Sequence, residues 1–393
     1  MTSNTRRRFM STVVILISRI SLSRKMRWLR GLQLSILGSL ECSTQPIGAP
    51  NVPETRRPHH GDFPMKAWTI RGDAASPELV LGESPRPEAG PKELLVRVRA
   101  IGVNRADLAR RTGHYEQLQR LSDAPIPGLE LAGEVAAVGA NVTGWRVGDR
   151  VMGLPPAAYA AFARLPADMA IRVPSSLSWE QAAALPMAYL TAHNALVTEG
   201  RFARGDHLLV HGVSSGVGLA TVQIARLLGA GVIAGTASPQ KHAALAPYGV
   251  DVPLAHGDAQ AAERIGIATG QHGVDVIVDM AGASAAQLSQ QAAGLRARWV
   301  QVGRLGGAKA DIDLDLLARK RLSLIGVTFR TRSVEEIAAL VQAAAHDLTE
   351  AWGSGQLSMP IAKVFPFEQA DAAQAFMRQN AHVGKIVIEG CPD

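Results

Sequence analysis

The chain has 393 residues, of which 47% are apolar, and a formal charge of +7. That length and apolar content exclude a disordered polymer and allow two domains around a sizeable core. The basic excess is local: residues 1–64 hold ten Lys/Arg against three Asp/Glu, while the rest holds 31 of each. The charge is therefore no argument for a nucleic-acid partner.

Residues 1–64 open with Arg6-Arg7-Arg8 and an apolar patch from Phe9 to Ile17, and end in a run carrying Pro46, Pro50, Pro53, Pro58 and Pro64. The patch is too short to span a bilayer, and no small-x-small cleavage site follows it cleanly. Two readings stand: an Arg- and Ser-rich organelle transit peptide, or an over-extended start with translation beginning at Met65. Met65-Lys66-Ala67-Trp68 opens in the style of a natural N-terminus and favours the second. The two cysteines, Cys42 and Cys391, cannot build a disulfide framework or a thiolate metal site, so a cytoplasmic setting is expected.

From Met65 to about Leu185 the pattern is of short strands broken by Gly and Pro, an all-β, barrel-like unit. Leu94–Ala100 and Leu131–Gly139 alternate as strands do, and Gly144–Val151 reads as a turn with Gly148-Asp149 feeding the next strand. Pro174–Leu185 is the linker, where Ser178 with Gln181 predicts a capped helix start.

Beyond Pro186 strands alternate with helices, the signature of a doubly wound parallel sheet. The predicted strands are Leu208–Gly212, Gly231–Gly235, Val250–Leu254, Val274–Asp279, Arg298–Gly303 and Leu322–Val327. Helices are predicted over Gly216–Leu228, Pro239–Pro247, Asp258–Thr269, Ser284–Gly294, Asp313–Ala318 and Val334–Ala345. The C-terminal pattern, Ala362–Phe365, a helix Phe367–Met377 and Gly384–Glu389, returns to the style of the first unit. Its last strand is expected to rejoin that unit.

The organising stretch is His207–Ala220. Leu208–Val210 suits a strand covered on both faces, and small residues from Gly212 to Gly218 let the backbone approach a pyrophosphate held by the following helix N-terminus. The string departs from G-x-G-x-x-G, with Val213 and Ser215 where the first two glycines fall. No acid stands about 20 residues on, where NAD-binding units carry one. Ser238 and Lys241 stand there, suited to a 2′-phosphate, so NADPH is expected over NADH.

From Met65 to Glu389 the chain resembles the medium-chain dehydrogenases/reductases, in their zinc-free NADPH:quinone oxidoreductase branch. The resemblance is carried by Gly102–Asp107, Pro127–Glu130, Val147–Val151, Gln181–Pro186 with Leu190–Ala192, His211–Gly218, Gly326–Ser333 and Val383–Val387. It implies an α/β chain with a GroES-like β-barrel domain at 65–187, completed by about 330–393, and a Rossmann domain with a six-stranded parallel sheet at 188–329. It further implies a homodimer through the edge Leu322–Val327, a liability if left uncovered. Zinc alcohol dehydrogenases of this family carry Cys and His where this chain has Asn104 and Leu129, so no metal is expected.

Carried over by position, Asn104 and Tyr115 are the expected catalytic residues. Thr191, Ser215, Gly216, Val217, Ser238, Lys241, Gly303, Phe329 and Lys385 are the expected cofactor contacts. The usual Tyr after the third strand is missing from Leu254–Gly257, with His256 the candidate substitute. His114, His193 and His211 have no metal-ligand spacing and read as structural, and Arg330 and Arg332 as solvated loop residues. Reduction of quinones leads; reduction of α,β-unsaturated ketones, aldehydes or enoyl thioesters, and a nucleotide- or RNA-binding role without catalysis, are the alternatives.

Overall fold

The computed structural model describes residues 64–72, 76–111 and 125–392. Strands β1 (Pro64–Arg71) and β2 (Glu78–Pro85) form an antiparallel pair. A seven-stranded sheet is built from β3 (Glu93–Val103), β4 (Leu131–Val138), β5 (Arg150–Gly153), β6 (Phe162–Pro166) and β7 (Ala170–Arg172), joined by two strands from the end of the chain. A six-stranded parallel sheet follows: β8 (Leu208–His211), β9 (Ile233–Thr236), β10 (Val252–Leu254), β11 (Val274–Asp279), β12 (Ala293–Gln301) and β13 (Ser323–Gly326). Its order, β10-β9-β8-β11-β12-β13, is the doubly wound one. The late strands β14 (Ile361–Phe365) and β15 (Lys385–Glu389) return to the first sheet, where β15 runs antiparallel to β3.

The parallel strands are apolar throughout because both faces are covered. Leu208 and Val210 enter the core shared with the seven-stranded sheet, and Leu209 between them enters a second core with Ile277 and Trp299. The Ser178 capping box forms, with Gln181 completing it, and Gly148 takes φ +90° in the turn before β5.

Four predicted boundaries need correction. Residues 239–247 are two 3-10 segments, Pro239–Ala244 and Ala246–Tyr248, because Pro247 has no N–H to continue an α-helix. Ala293 and Gly294 open β12 instead of closing a helix; Ala293 pairs with Val274 ahead of an irregularity, and Arg296 sits there at φ +64°. β12 ends at Gln301, and Gly303 lies in the following loop, its N–H turned with that of Val302 onto Asp279 O. The helix predicted to Ala345 runs Val334–Gly353, since Leu348, Ala351 and Trp352 prolong its buried stripe. A short helix, Arg105–Arg111, also interrupts the all-β unit after β3.

Candidate active site

The glycine turn makes one half of the site. Gly212 leaves β8 at φ +75°, a left-handed conformation that side chains resist. Ser215 then caps the helix Gly216–Leu227: its hydroxyl accepts the Gly218 N–H at 3.1 Å and donates to the Gly212 carbonyl at 2.8 Å. A Cβ on Gly218 would lie 2.6 Å from Gly212 O and from Val213 Cα, so the turn closes only around glycine. A helix's first turn gives the N–H groups of Gly216 and Val217 no intrahelical acceptor, and the dipole is positive there. This cradle fits the pyrophosphate of a dinucleotide.

The other half comes from the seven-stranded sheet. Gly384 donates its N–H to Ser214 O at 3.0 Å and bridges to Ser215, which brings β15 against the turn. The Lys385 side chain passes over Gly216, where a Cβ would meet its Cδ at 2.9 Å. Its ammonium donates to Asn104 Oδ1 at 2.8 Å and forms an ion pair with Glu130 Oε1. Asn104 Nδ2 in turn donates to Glu130 Oε1 at 2.8 Å and to Gly102 O at 3.3 Å. The second carboxylate oxygen of Glu130 accepts the Met187 N–H at 2.7 Å, in the first turn of the helix Pro186–His193. The amide of Asn104 is thereby held in one orientation, its oxygen toward the ammonium and its nitrogen toward the carboxylate.

Beneath Asn104 lies Asp107, fully buried, which accepts the Asn104 N–H at 2.8 Å and the Tyr159 hydroxyl at 3.4 Å. Burial pushes its carboxyl up to about 7, opposed by the Asn104 N–H and the Lys385 charge. Burial and the neighbouring Asp107 raise the Tyr159 hydroxyl well above its ordinary range.

After β9 the sequence holds no acid before Asp251. Asp251 accepts the Ile233 N–H at 2.7 Å and pairs with Arg226, so it is committed to the fold. Ser238 starts the segment after β9 without a side-chain cap bond, and Lys241 donates to Asn380 O at 2.7 Å. Burial, and Arg105 beside it, lower the Lys241 ammonium from its usual value. Gly303 follows β12 and Phe329 follows β13, both at the carboxyl ends of parallel strands, where open α/β sheets bind ligands. Thr191 donates to Met187 O at 2.6 Å within its own helix.

Tyr115 and His114 lie outside the described residues. His211 is buried between Thr236 Oγ1 and Ser289 Oγ, and burial takes its imidazole down to about 3. His193 meets Asp347 at 2.8 Å. Arg332 pairs with Glu199 at 3.4 Å, more than a solvated loop charge.

Sequence reasoning does not single out Glu130 or Asp107, although Glu130 stands inside an apolar run. A lone acid in Leu129-Glu130-Leu131-Ala132 demands a buried partner, and that was the available signal. Among the described residues no three His, Cys, Asp or Glu side chains converge as metal ligands, and Leu129 is a buried hydrocarbon. No helix among them is long and apolar enough to cross a membrane.

Comparison with known proteins agrees with this architecture. Residues 90–175 match the alcohol dehydrogenase GroES-like domain, and residues 216–345 match the zinc-binding dehydrogenase domain. The human synaptic vesicle membrane protein VAT-1 homolog is 31% identical over 325 residues, covering 78% of this chain and 81% of that protein. A mycocerosic acid synthase-like polyketide synthase of Mycobacterium tuberculosis is 30% identical over 348 residues, 87% of this chain but 16% of that much longer protein. Among solved structures, the CurK enoyl reductase superposes with a TM-score of 0.73 at 27% identity, covering 84% of this chain and 100% of that one. A mycobacterial protein complexed with NADPH gives 0.73 at 29% identity, covering 83% and 99%. A mycobacterial quinone oxidoreductase gives 0.72 at 28% identity, covering 83% and 100%. With both domains matched in order and a relative of this identity aligned over most of its length, the chain belongs to the medium-chain dehydrogenase/reductase family of oxidoreductases, among its quinone oxidoreductase-like members.

Proposed function

We propose that the protein is an NADPH-dependent, zinc-independent reductase of quinones, working between its barrel-like sheet and its parallel sheet. The observation that carries this reading is the Asn104–Glu130–Lys385 cluster lying against the glycine turn. It sets polar groups of one sheet beside the nucleotide cradle of the other. The dinucleotide, when bound, supplies hydride.

The chain's own residues then divide the remaining work. Ser215, Gly216 and Val217 hold the pyrophosphate, and Ser238 and Lys241 take the 2′-phosphate, a role supported by the commitment of Asp251 elsewhere. Thr191, Gly303, Phe329 and Lys385 hold the nicotinamide end, while Asn104 and Tyr115 are the residues assigned to act on the acceptor. Once hydride is delivered, a quinone needs one further proton to become a hydroquinone, and the Lys385 ammonium and the Asp107 carboxyl are the proton-bearing groups of the cluster. Zinc independence rests on donor chemistry: the Asn104 amide is already tied to three partners, and Leu129 has no donor atom.

Reduction of enoyl thioesters is the second reading, favoured by the likeness to the CurK enoyl reductase and to a segment of polyketide synthases. Following NADPH oxidation with 1,2-naphthoquinone and with an enone and enoyl-thioester series decides between them. Turnover on the enoyl series alone overturns the quinone reading, and tight nucleotide binding without turnover on either overturns both.

A further inference from the structure

The reading of NADPH as cofactor assigns the 2′-phosphate to residues after β9, all on the parallel sheet. The structure gathers more positive charge there than that sheet supplies. Arg105, next to Asn104, donates from Nη2 to Asn380 Oδ1 at 2.6 Å, and Lys241 donates to the carbonyl of the same Asn380 at 2.7 Å. Asn380 is held at φ +55° between the helix Ala370–Arg378 and β15, an uncommon conformation for a residue other than glycine. Two residues on, His382 has a buried Nδ1 with no hydrogen-bond partner.

The electrostatics are one-sided. The charges acting on His382 are Lys241, Arg105 and Lys385, the charge acting on Lys241 is Arg105, and those acting on His256 are Lys241 and His242. The Lys241 and Arg105 charges repel one another, burial and these charges hold the His382 imidazole down at about 4, and a dianion between them would relieve the repulsion and offer His382 a partner.

We propose that a ribose phosphate monoester, the 2′-phosphate of NADPH, is gripped from both sheets, by Arg105 and His382 of the barrel side together with Lys241 of the parallel side. Selection of the phosphorylated cofactor then draws on side chains from both sheets. This rests on the proposed NADPH dependence and adds the barrel-side half of the site.

The test is calorimetric titration of the nucleotide fragments 2′,5′-ADP, 3′,5′-ADP and 5′-AMP into the full chain and into Arg105→Gln, Lys241→Gln and His382→Asn. A charge-assisted bond of this kind is worth about tenfold or more in affinity. The expected result is that Arg105→Gln and Lys241→Gln each weaken 2′,5′-ADP about tenfold and leave 5′-AMP unchanged, which also shows that the variants are folded. His382→Asn should weaken 2′,5′-ADP severalfold and leave 5′-AMP unchanged, and unchanged 2′,5′-ADP binding by that variant removes His382 from the grip. If Lys241→Gln loses the preference while Arg105→Gln binds like the parent, the two-sided grip is overturned and NADPH dependence stands. If the parent itself binds 5′-AMP as tightly as 2′,5′-ADP, NADPH dependence falls as well. Tighter binding of 3′,5′-ADP than of 2′,5′-ADP overturns the assignment to NADPH and gives the site to a coenzyme A-type phosphate.

Discussion

Lys385 lies against the glycine turn of the parallel sheet and ends on Glu130 of the other sheet, as an ion pair whose side chains are 5% and 0% exposed. A pair this deep is costly to desolvate, and it is sustained because every other polar neighbour also contributes: Asn104 bonds both partners and Met187 supplies an N–H to the far carboxylate oxygen. The pair therefore ties the nucleotide cradle to the orientation of the Asn104 amide.

Removing the carboxylate charge while keeping its shape isolates that dependence. Glu130→Gln leaves the ammonium buried without a counter-charge, and breaking a buried pair in this way costs about 3–5 kcal/mol. Urea unfolding should show a loss of that order, and Glu130→Gln combined with Lys385→Met should recover part of it, a coupling read from the double-mutant cycle. A single variant within about 1 kcal/mol of the parent would mean that the ammonium does not depend on Glu130.

Asp107 predicts a pH dependence of the opposite sign to that of an ordinary carboxylate. Burial holds its folded pKa at about 7, above the ordinary carboxylate value of 3.8, so between those values the folded state keeps a proton that the unfolded state has lost. Its contribution to stability consequently falls as pH rises through that window, with a slope approaching about 1.4 kcal/mol per pH unit, and is flat above it. Asp107→Asn keeps an acceptor for the Asn104 N–H and removes the titration. The variant should gain on the parent between pH 5 and pH 7.5 in urea unfolding. A constant difference across that range would show that Asp107 titrates at its ordinary value.

Much of this was legible from residue pattern. The run Leu208–Val210 with the small residues after it marked the nucleotide turn, because a two-sided strand and a close-packed helix start leave little other choice of residue. What escaped were groups whose partners are remote in sequence. Glu130 is understood only beside Lys385, 255 positions away, and Arg105 only beside Asn380, 275 positions away. Pattern reports which side chains are buried, and the partner of a buried charge is set by how two sheets meet. Pro247 and Arg296 altered local geometry in the same unannounced way, one by breaking a helix and the other by bending a strand.

The cradle itself is sensitive to one methyl group. At Gly218 an alanine Cβ would press on backbone atoms, Gly212 O and Val213 Cα at 2.6 Å, which cannot rotate aside. Gly218→Ala should therefore weaken NADPH and NADH alike in fluorescence titration, by tenfold or more if a bond's worth of turn geometry is lost. Ser215→Ala removes the cap, worth about 1 kcal/mol, together with the bond to Gly212 O, and should lower both stability and nucleotide affinity, the latter less than Gly218→Ala does. Unchanged binding by Gly218→Ala would separate this turn from nucleotide binding.

The far edge of the parallel sheet is open to association. β13 closes the strand order with no neighbour on its outer side among the described residues, and Leu324 on it is 49% exposed. An apolar strand edge left in water invites pairing, and a second copy across a two-fold axis would satisfy its ladder groups and cover Leu324. Light scattering on a sizing column should give the mass of a dimer for the parent. Leu324→Lys, which sets two like charges near the axis without touching the core, should move the mass toward the monomer at micromolar concentration. A variant that still runs as a dimer assigns the contact to another surface, and a monomeric parent leaves β13 as an edge protected by its short length of four residues.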